Sequence, residues 1–498
     1  MKIFTASQIK ACDEFTIKNE PISSVFLMER ASEKCVDYLA KKIDYHQKIY
    51  LFCGNGNNGG DGFAIARLLY YLCYDVTVFI DQSNQGFSND ATENFNRLKE
   101  ISGVVIKDFS EVSTVLFERD SVIIDALFGS GLNGNIEGKL AMLIHQLNQI
   151  EAYKISIDIP SGIFADKIID KDSTVFKAKE TLSFQFYKKA FLHPEVGIFC
   201  GEIHLLDIGL HPDFTESTLV KDFTIDEEII KTIYRPREEF SHKGNFGKSY
   251  VIAGSYGKIG AAVLATKAAL KSGSGLTFCV SADCGYSVLQ THCVEAMFMS
   301  FGNHFCEKIE INDDAAFGIG PGFGTEEISE KALINFLKSK KLPLVLDADA
   351  LNLLSKNTEN LKFIPENSII TPHPKEFARL FGETSNSFER LNLARTKSKE
   401  LNIYIVLKDH HTQIVTPNGD VFYNVTGNSG LAKGGSGDVL LGIITSLLAQ
   451  NYTPENAAIF GVWLHGSAAD FAAKKYSKEA MQPTDVIESL SEVFKSLS

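Results

Sequence analysis

The chain has 498 residues, 44% of them apolar, and a formal charge of −13, which is material enough for two or three domains with ordinary cores. Acidity and short Lys/Arg clusters exclude nucleic acid as the expected partner. No apolar run reaches the roughly 18 residues of a membrane span, MKIFTASQIKACDEF lacks a signal-peptide pattern, and nine scattered cysteines without a CxxC pair suggest reduced thiols in a cytoplasm.

In chain order, KIYLF (48–52), VTVFI (76–80), SVIIDALF (121–128) and YKISIDIP (153–160) read as buried strands. FAIARLLYYL (63–72) has the spacing of a packing helix. TLSFQF and GEIHLLDIG follow, and then residues 211–245 turn polar, acidic and poor in strand pattern. A junction near residue 222 is expected there, dividing the chain into domains 1–221 and 222–498. KSYVIAGS restarts the pattern with a strand, followed by the helix AAVLATKAALKSG. LTFCV, AAFGIGPG, LPLVLDAD, NSIITPHP and IYIVLK continue the strands. Short strands alternating with amphipathic stretches predict an α/β fold in both halves, with ligand loops at the carboxyl ends of the strands.

CGNGNNGGDG (53–62) sits between a strand and a helix, where its amides could cradle an anion. It is no P-loop, lacking Gly-Lys-Ser/Thr, and its GxGxxG is a poor dinucleotide fingerprint. Two further glycine-bearing loops leave strands beside carboxylates: Asp125 precedes Gly129, Ser130, Gly131 and Gly134, and Asp158 precedes Pro160, Ser161 and Gly162. One strand-end Asp is ordinarily a cap or turn former. Three such loops would converge on one crevice of an open sheet.

NNGGD, DALFGSGLNG and IDIPSG together resemble the NAD(P)H-hydrate epimerase domain over residues 1 to about 215. The resemblance implies a Rossmann-like three-layer αβα domain. It implies potassium held by Asn58, Asp125 and Ser161, and a substrate lined by Asn57, Asn58, Gly59, Gly60 and Asp61. Gly129, Ser130, Gly131, Leu132, Asn133, Gly134 and Asn135, with Asp158, would complete that lining. Oxygen-bearing side chains suit such a hard cation. Epimerisation at the hydrated ring carbon needs a group that moves protons, and Asp158 is the candidate.

In the second half, NVTGNSGLAKGGSGDVLLGIITSLLAQ (424–450) places Gly434, Gly435 and Gly437 before Asp438 at the opening of an apolar helix. Amides there can stabilise a transferring phosphoryl group while Asp438 accepts a hydroxyl proton; the alternative is a plain helix cap. GSGD resembles the ribokinase-like sugar and vitamin kinases. GIGPGFG, LDADALN, TPHPKEFARL, VLKDHHT and HGSAAD narrow the resemblance to ADP- or ATP-dependent NAD(P)H-hydrate dehydratase from about residue 240 onward. That implies a ribokinase-like αβα domain in which Ala261, Gly322, His373 and Asp438 meet the hydrated nucleotide. Lys408, Asp409, His410, His411 and Thr412 would meet the adenine nucleotide. So would the loop Asn428, Ser429, Gly430, Leu431, Ala432, Lys433, Gly434, Gly435, Ser436 and Gly437.

Asp347 and Asp349 stand at a strand end as ligand contacts, helix caps or core network, and His373 between prolines could be turn packing. Lys243 and Lys408 are expected to face phosphates. Lys375 and Asp409 occupy positions where relatives often carry glycine, and Asp409 puts a carboxylate beside the nucleotide site. The implied function is repair: the first half interconverts R and S hydrates of NADH and NADPH (NADHX and NADPHX). The second dehydrates the S form with ADP and Mg2+, giving AMP and phosphate. A cytoplasmic homo-oligomer is expected. A hydroxyl kinase fused to a ligand-binding domain, or a nucleotide sensor, are the competing readings.

Overall fold

The computed structural model describes residues 1–84 and 86–497. It divides into two compact units, residues 2–220 and residues 221–498 with Met1.

The first unit opens with two helices that sequence patterning did not single out, α1 (Ala6–Asn19) and α2 (Ser24–Lys42). Thr5 and Gln8 form a reciprocal capping box on α1, and Ser23 caps α2 by accepting from the Phe26 amide. The strands are β1 (Ile49–Cys53), β2 (Val76–Ile80), β3 (Val105–Asp108), β4 (Val122–Ala126), β5 (Tyr153–Ile157), β6 (Glu180–Phe184) and β7 (Glu202–Leu206). They form one parallel sheet in the order β3-β2-β1-β4-β5-β6-β7. Helices cover both faces: Cys35, Val36 and Leu39 of α2 pack on one, Leu143, Ile144 and Leu147 on the other. This is the Rossmann-like three-layer arrangement, with its switch point between β1 and β4. Registry sets Phe52 opposite Asp125, so that carboxylate emerges level with the end of β1.

The helix after β1, α3 (Asn57–Tyr71), begins six residues earlier than its apolar spacing predicts. Asn57, Asn58, Gly59, Gly60 and Asp61 are therefore helical, not a free turn. Close packing overrides the poor helix propensity of glycine: a Cβ on Gly59 would collide with the Gly54 carbonyl.

The second unit has a ten-stranded sheet. Its strands are β8 (Asp222–Ile225), β9 (Lys248–Ile252), β10 (Leu276–Ser281), β11 (Met297–Ser300), β12 (Ala316–Ile319), β13 (Val345–Leu346), β14 (Ile369–Ile370), β15 (Tyr404–Leu407), β16 (Gln413–Val415) and β17 (Val421–Asn424). Their order is β11-β10-β9-β12-β13-β14-β15-β16-β17-β8, parallel except for the two pairings of β16. The segment 211–245, read as strand-poor, supplies the edge strand β8, which pairs with β17. The apolar helix Ser436–Ala449 packs on the helix Ile259–Lys271 beneath the switch point between β9 and β12. Leu441, Ile443 and Ile444 are fully buried there, each contributing about 1.5–3 kcal/mol of burial.

All nine cysteines are free thiols; Cys73 and Cys284 are exposed and the other seven buried. Among the described residues, no helix is long and apolar enough to cross a membrane.

Candidate active sites

In the first unit the loop after β1 is held from outside, because Ser88 donates its hydroxyl to Asn57 Oδ1 at 2.7 Å and its amide to the Asn55 carbonyl at 2.8 Å. Asn58 Nδ2 donates to the Phe128 carbonyl at 2.9 Å. Its Oδ1 is buried with no partner among the described residues, a costly state unless something binds there. Asp125, fully buried, accepts from Ser156 Oγ at 2.9 Å, Ser161 N at 2.8 Å, Ser161 Oγ at 2.6 Å and Leu127 N at 3.2 Å. Burial pushes its carboxyl up, against the pull of these bonds. All four donors are neutral. Asn58, Asp125 and Ser161 thus meet around Phe128, whose amide donates to Ser161 Oγ at 2.9 Å.

Asp158 follows β5 with a left-handed backbone, φ 62°. Its Oδ1 takes the ammonium of Lys188 at 2.6 Å and, more weakly, the Phe184 amide at 3.3 Å. Lys188, 1% exposed, also donates to Ser183 Oγ and the Phe184 carbonyl. Nothing in the sequence marks Lys188, one of two lysines after a strand. Asp61 faces this pair from α3, its carboxyl pushed well up by burial, then by Asp158, Asp13 and Asp90. The loop from Gly129 to Asn135 starts against the Asn58 side chain and ends at Asn135, which donates to Asp170 at 2.9 Å. Gly131, Asn133, Gly134 and Asn135 are exposed, and Ser130 and Leu132 half-buried.

The second unit holds a cleft of about 610 Å³ lined by Gly257, Lys258, Gly260, Ala261, Gly322, Asp349, Gly434 and Asp438. Three of the four residues expected to meet the hydrated nucleotide, Ala261, Gly322 and Asp438, therefore line one cleft. The cap of helix Ser436–Ala449 is Gly435, at φ 100°, a conformation that favours glycine. No side chain caps that helix, so Asp438, two residues into it, is not the cap. Burial, then the Asp347 carboxylate, pushes Asp438 up to about 7, while Lys408 pulls the other way.

Two lysines line up beside it. Lys408, at the end of β15, pairs with Asp347 at 2.7 Å and lies 3.8 Å from Glu376. Lys258 pairs with Asp349 at 3.0 Å, and the Gly324 amide donates to the same oxygen at 2.9 Å. Asp347 also caps the helix Ala348–Lys356, so the cap and the charge network coexist. His373 does not line the cleft. It caps the helix Pro374–Phe381, accepting from the Lys375 and Glu376 amides, and its ring is pushed down by burial. Lys375 is exposed in that first turn, and Lys243 is likewise exposed.

The loop from Asn428 to Gly437 is tied down by Asp470, which sequence reading left unassigned within HGSAAD. Asp470 accepts from the Gly427 amide at 2.8 Å and from Asn428 Nδ2 at 2.9 Å. Asn428 Oδ1 accepts from the Gly430 amide, closing a turn through Ser429 and Leu431, while Gly434 borders the cleft. Beyond Ala432, Lys433 turns its ammonium to the Glu479 and Met481 carbonyls at 2.5 and 2.6 Å. His465 is hydrogen-bonded to the Ser436 backbone, and burial, then Lys408, pushes its ring down to about 4. Asp409 is paired with Arg390, and its other oxygen accepts from the His410 amide. His411, against His410, contacts the Asn424 carbonyl at 3.2 Å, and the Asn424 amide donates to Thr412.

Two family models match the chain. That of the YjeF-related protein N-terminus spans residues 24–190, and that of NAD(P)H-hydrate dehydratase spans 249–492. The bifunctional NAD(P)H-hydrate repair enzyme of Coxiella burnetii is 32% identical over 97% of this chain and 97% of its own length. That of Vibrio cholerae is 32% identical over 98% and 97%. Among solved structures, the ADP/ATP-dependent NAD(P)H-hydrate dehydratase of Bacillus subtilis, co-crystallised with ATP/Mg2+, matches with a TM-score of 0.50 and 30% identity. It covers 55% of this chain and 99% of its own.

Proposed function

Because the chain belongs to the family of bifunctional NAD(P)H-hydrate repair enzymes, we propose that it repairs hydrated nicotinamide nucleotides in two steps. Residues 1–221 interconvert the R and S hydrates of NADH and NADPH. Residues 222–498, ribokinase-like in architecture, dehydrate the S form with ADP as phosphoryl donor, releasing AMP and phosphate.

The observation that carries this reading is Asp438: two residues into a helix N-terminus that no side chain caps, lining one cleft with Ala261 and Gly322, and poised near neutrality. A ring hydroxyl is a poor leaving group and a weak nucleophile. Asp438 takes its proton as the oxygen attacks the terminal phosphorus of ADP, and amides from Gly434 to Gly437 with Lys408 stabilise the transferring charge. Once phosphorylated, the oxygen leaves with the C–O pair as phosphate. The ring nitrogen lone pair expels it, and loss of a proton from the adjacent carbon restores the reduced ring. His373, Lys408 to Thr412 and Asn428 to Gly437 are proposed to hold the two nucleotides, with Asp470 fixing the last loop.

The first unit's residues fit potassium. Among the described residues, Asn58 offers a buried oxygen without a partner, Asp125 a buried carboxylate with neutral donors only, and Ser161 a hydroxyl bonded to that carboxylate. A bound cation would supply the missing positive charge. Gly129 to Asn135, Asn57 to Asp61 and Asp158 are proposed to line the substrate. In the second unit Asp349 keeps one oxygen without a protein partner among the described residues, which fits a Mg2+ arriving on the nucleotide. That ion would neutralise phosphate charge.

The test is to supply mixed R and S hydrates with ADP and follow the absorbance of the reduced ring. Full recovery of both epimers is expected. An accumulating phosphorylated product would mark a hydroxyl kinase, and no turnover a sensor.

A further inference from the structure

The helix α1 packs in one apolar cluster with Phe184 and Phe186, on the segment that leads to Lys188. Its start is pinned by Asp166, which accepts from the Ala6 amide at 2.7 Å, on the segment that follows Asp158. Its inner face, with Cys12, packs among Phe4, Leu27, Ala31 and Phe186, the last only two residues from Lys188. This docking brings Asp13, half-buried, within electrostatic reach of Asp158, Lys188 and Asp61. No hydrogen bond or ion pair within the protein satisfies the Asp13 carboxyl among the described residues, whereas Asp158 is gripped by an ammonium. On α3, three residues before Asp61, the Asn58 oxygen is likewise buried without a partner among the described residues.

Resting on the epimerase reading above, we propose that Asp13 is the catalytic acid of the first unit and works as a pair with the Lys188-held Asp158. The hydrate is a hemiaminal: its hydroxyl stands on the carbon next to the ring nitrogen. Asp13 gives its proton to that hydroxyl. The C–O bond breaks, water leaves with the pair, and the nitrogen lone pair closes a C=N bond, making the ring cationic. The carboxylate left on Asp13 then faces the charge it created. Water adds to the opposite face, the C=N pair returns to nitrogen, and the second oxygen of Asp158, which has no protein partner among the described residues, accepts the surplus proton. The carbon is inverted, one proton has moved from Asp13 to Asp158, and exchange with solvent resets the pair.

The surroundings suit an acid in that position. Burial, then Asp158, pushes Asp13 up to about 7, with Lys188 opposing and Glu14 adding to the rise. Asp61 on α3 and the Cys12 thiol on α1 complete the titratable groups around it.

The experiment follows pure R hydrate, without ADP, by chromatographic separation of the epimers across pH 6–9. In the wild type the rate should fall as pH rises through about 7, where the acid is lost. Asp13→Asn should slow interconversion by at least about a hundredfold and abolish that limb, while Asp13→Glu restores part of the rate. Circular dichroism checks that the variants are folded. In ¹⁸O-water, S product formed by the wild type should carry the label on its hydroxyl. Wild-type rate in Asp13→Asn, or an unchanged basic limb, would overturn the assignment of the acid, and unlabelled S product would overturn the route. A wild type that never interconverts the epimers would instead overturn the epimerase reading itself.

Discussion

The two units repeat one architectural idea, a glycine-rich loop leading into a helix at the switch point of a sheet, yet they balance charge in opposite ways. Around Asp125 the first unit supplies hydroxyls and amides but no cation among the described residues, and Lys188 pairs with Asp158 and acts on Asp13, while Asp61 meets only further carboxylates. The second unit gives the strand-end Asp347 and the first-turn helical Asp349 an ammonium each, Lys408 and Lys258. A site short of positive charge suits an incoming cation or a cationic intermediate. A site that brings its own cations beside a helix N-terminus suits phosphates. Topology places a crevice, and the choice of counter-charge decides its occupant.

The sharpest way to break this contrast is Asp438→Asn. It keeps size and helical position, so dehydration of pure S hydrate should fall at least about a hundredfold while R-to-S conversion proceeds. Near-normal dehydration would remove Asp438 from the chemistry. Asp125→Ala attacks the other side, stranding four buried donors at about 1–3 kcal/mol each. Calorimetry should show a transition that melts early, with a second transition unmoved. In the wild type, potassium chloride in place of choline chloride should raise the first transition by linkage, and Asp125→Asn should lose that response.

Acidity separates the units next. In its proposed role as base Asp438 must be ionised, so kcat/KM for S hydrate should rise about tenfold from pH 6 to pH 8. A rate that fell over this range would reverse the assignment. The smallest effect concerns Asp409, which Arg390 neutralises. Arg390→Ala should raise the KM for ADP by roughly fivefold, about 1 kcal/mol of exposed repulsion. Adding Asp409→Gly should restore it, and a KM indifferent to both changes would place Asp409 away from the nucleotide.

Periodicity made most strands legible because buried parallel strands are near-continuous apolar runs, as VTVFI and SVIIDALF are. It located the start of α3 poorly, since glycine and asparagine read as turn while the backbone contact between Gly59 and Gly54 decides the matter. β8 was hidden because an edge strand needs only one covered face, and its four residues lie in an acidic stretch. The motifs named groups that sit on glycine loops. They were silent on Asp13, Lys188, Arg390 and Asp470, whose partners lie 19 to 175 residues away in the chain. Such pairings leave no local spacing to read.

The distribution of thiols has a practical consequence. Seven cysteines are shielded by packing, and Cys35, beside Asp61 and Asp158, is held far from the thiolate by burial. That leaves one exposed thiol in each unit, Cys73 in the first and Cys284 in the second. A maleimide fluorophore pair introduced at neutral pH would therefore mark the two units of the unmodified sequence once each. Energy transfer between the dyes could then report whether the units move as substrate passes from one activity to the other, without engineering a single attachment point.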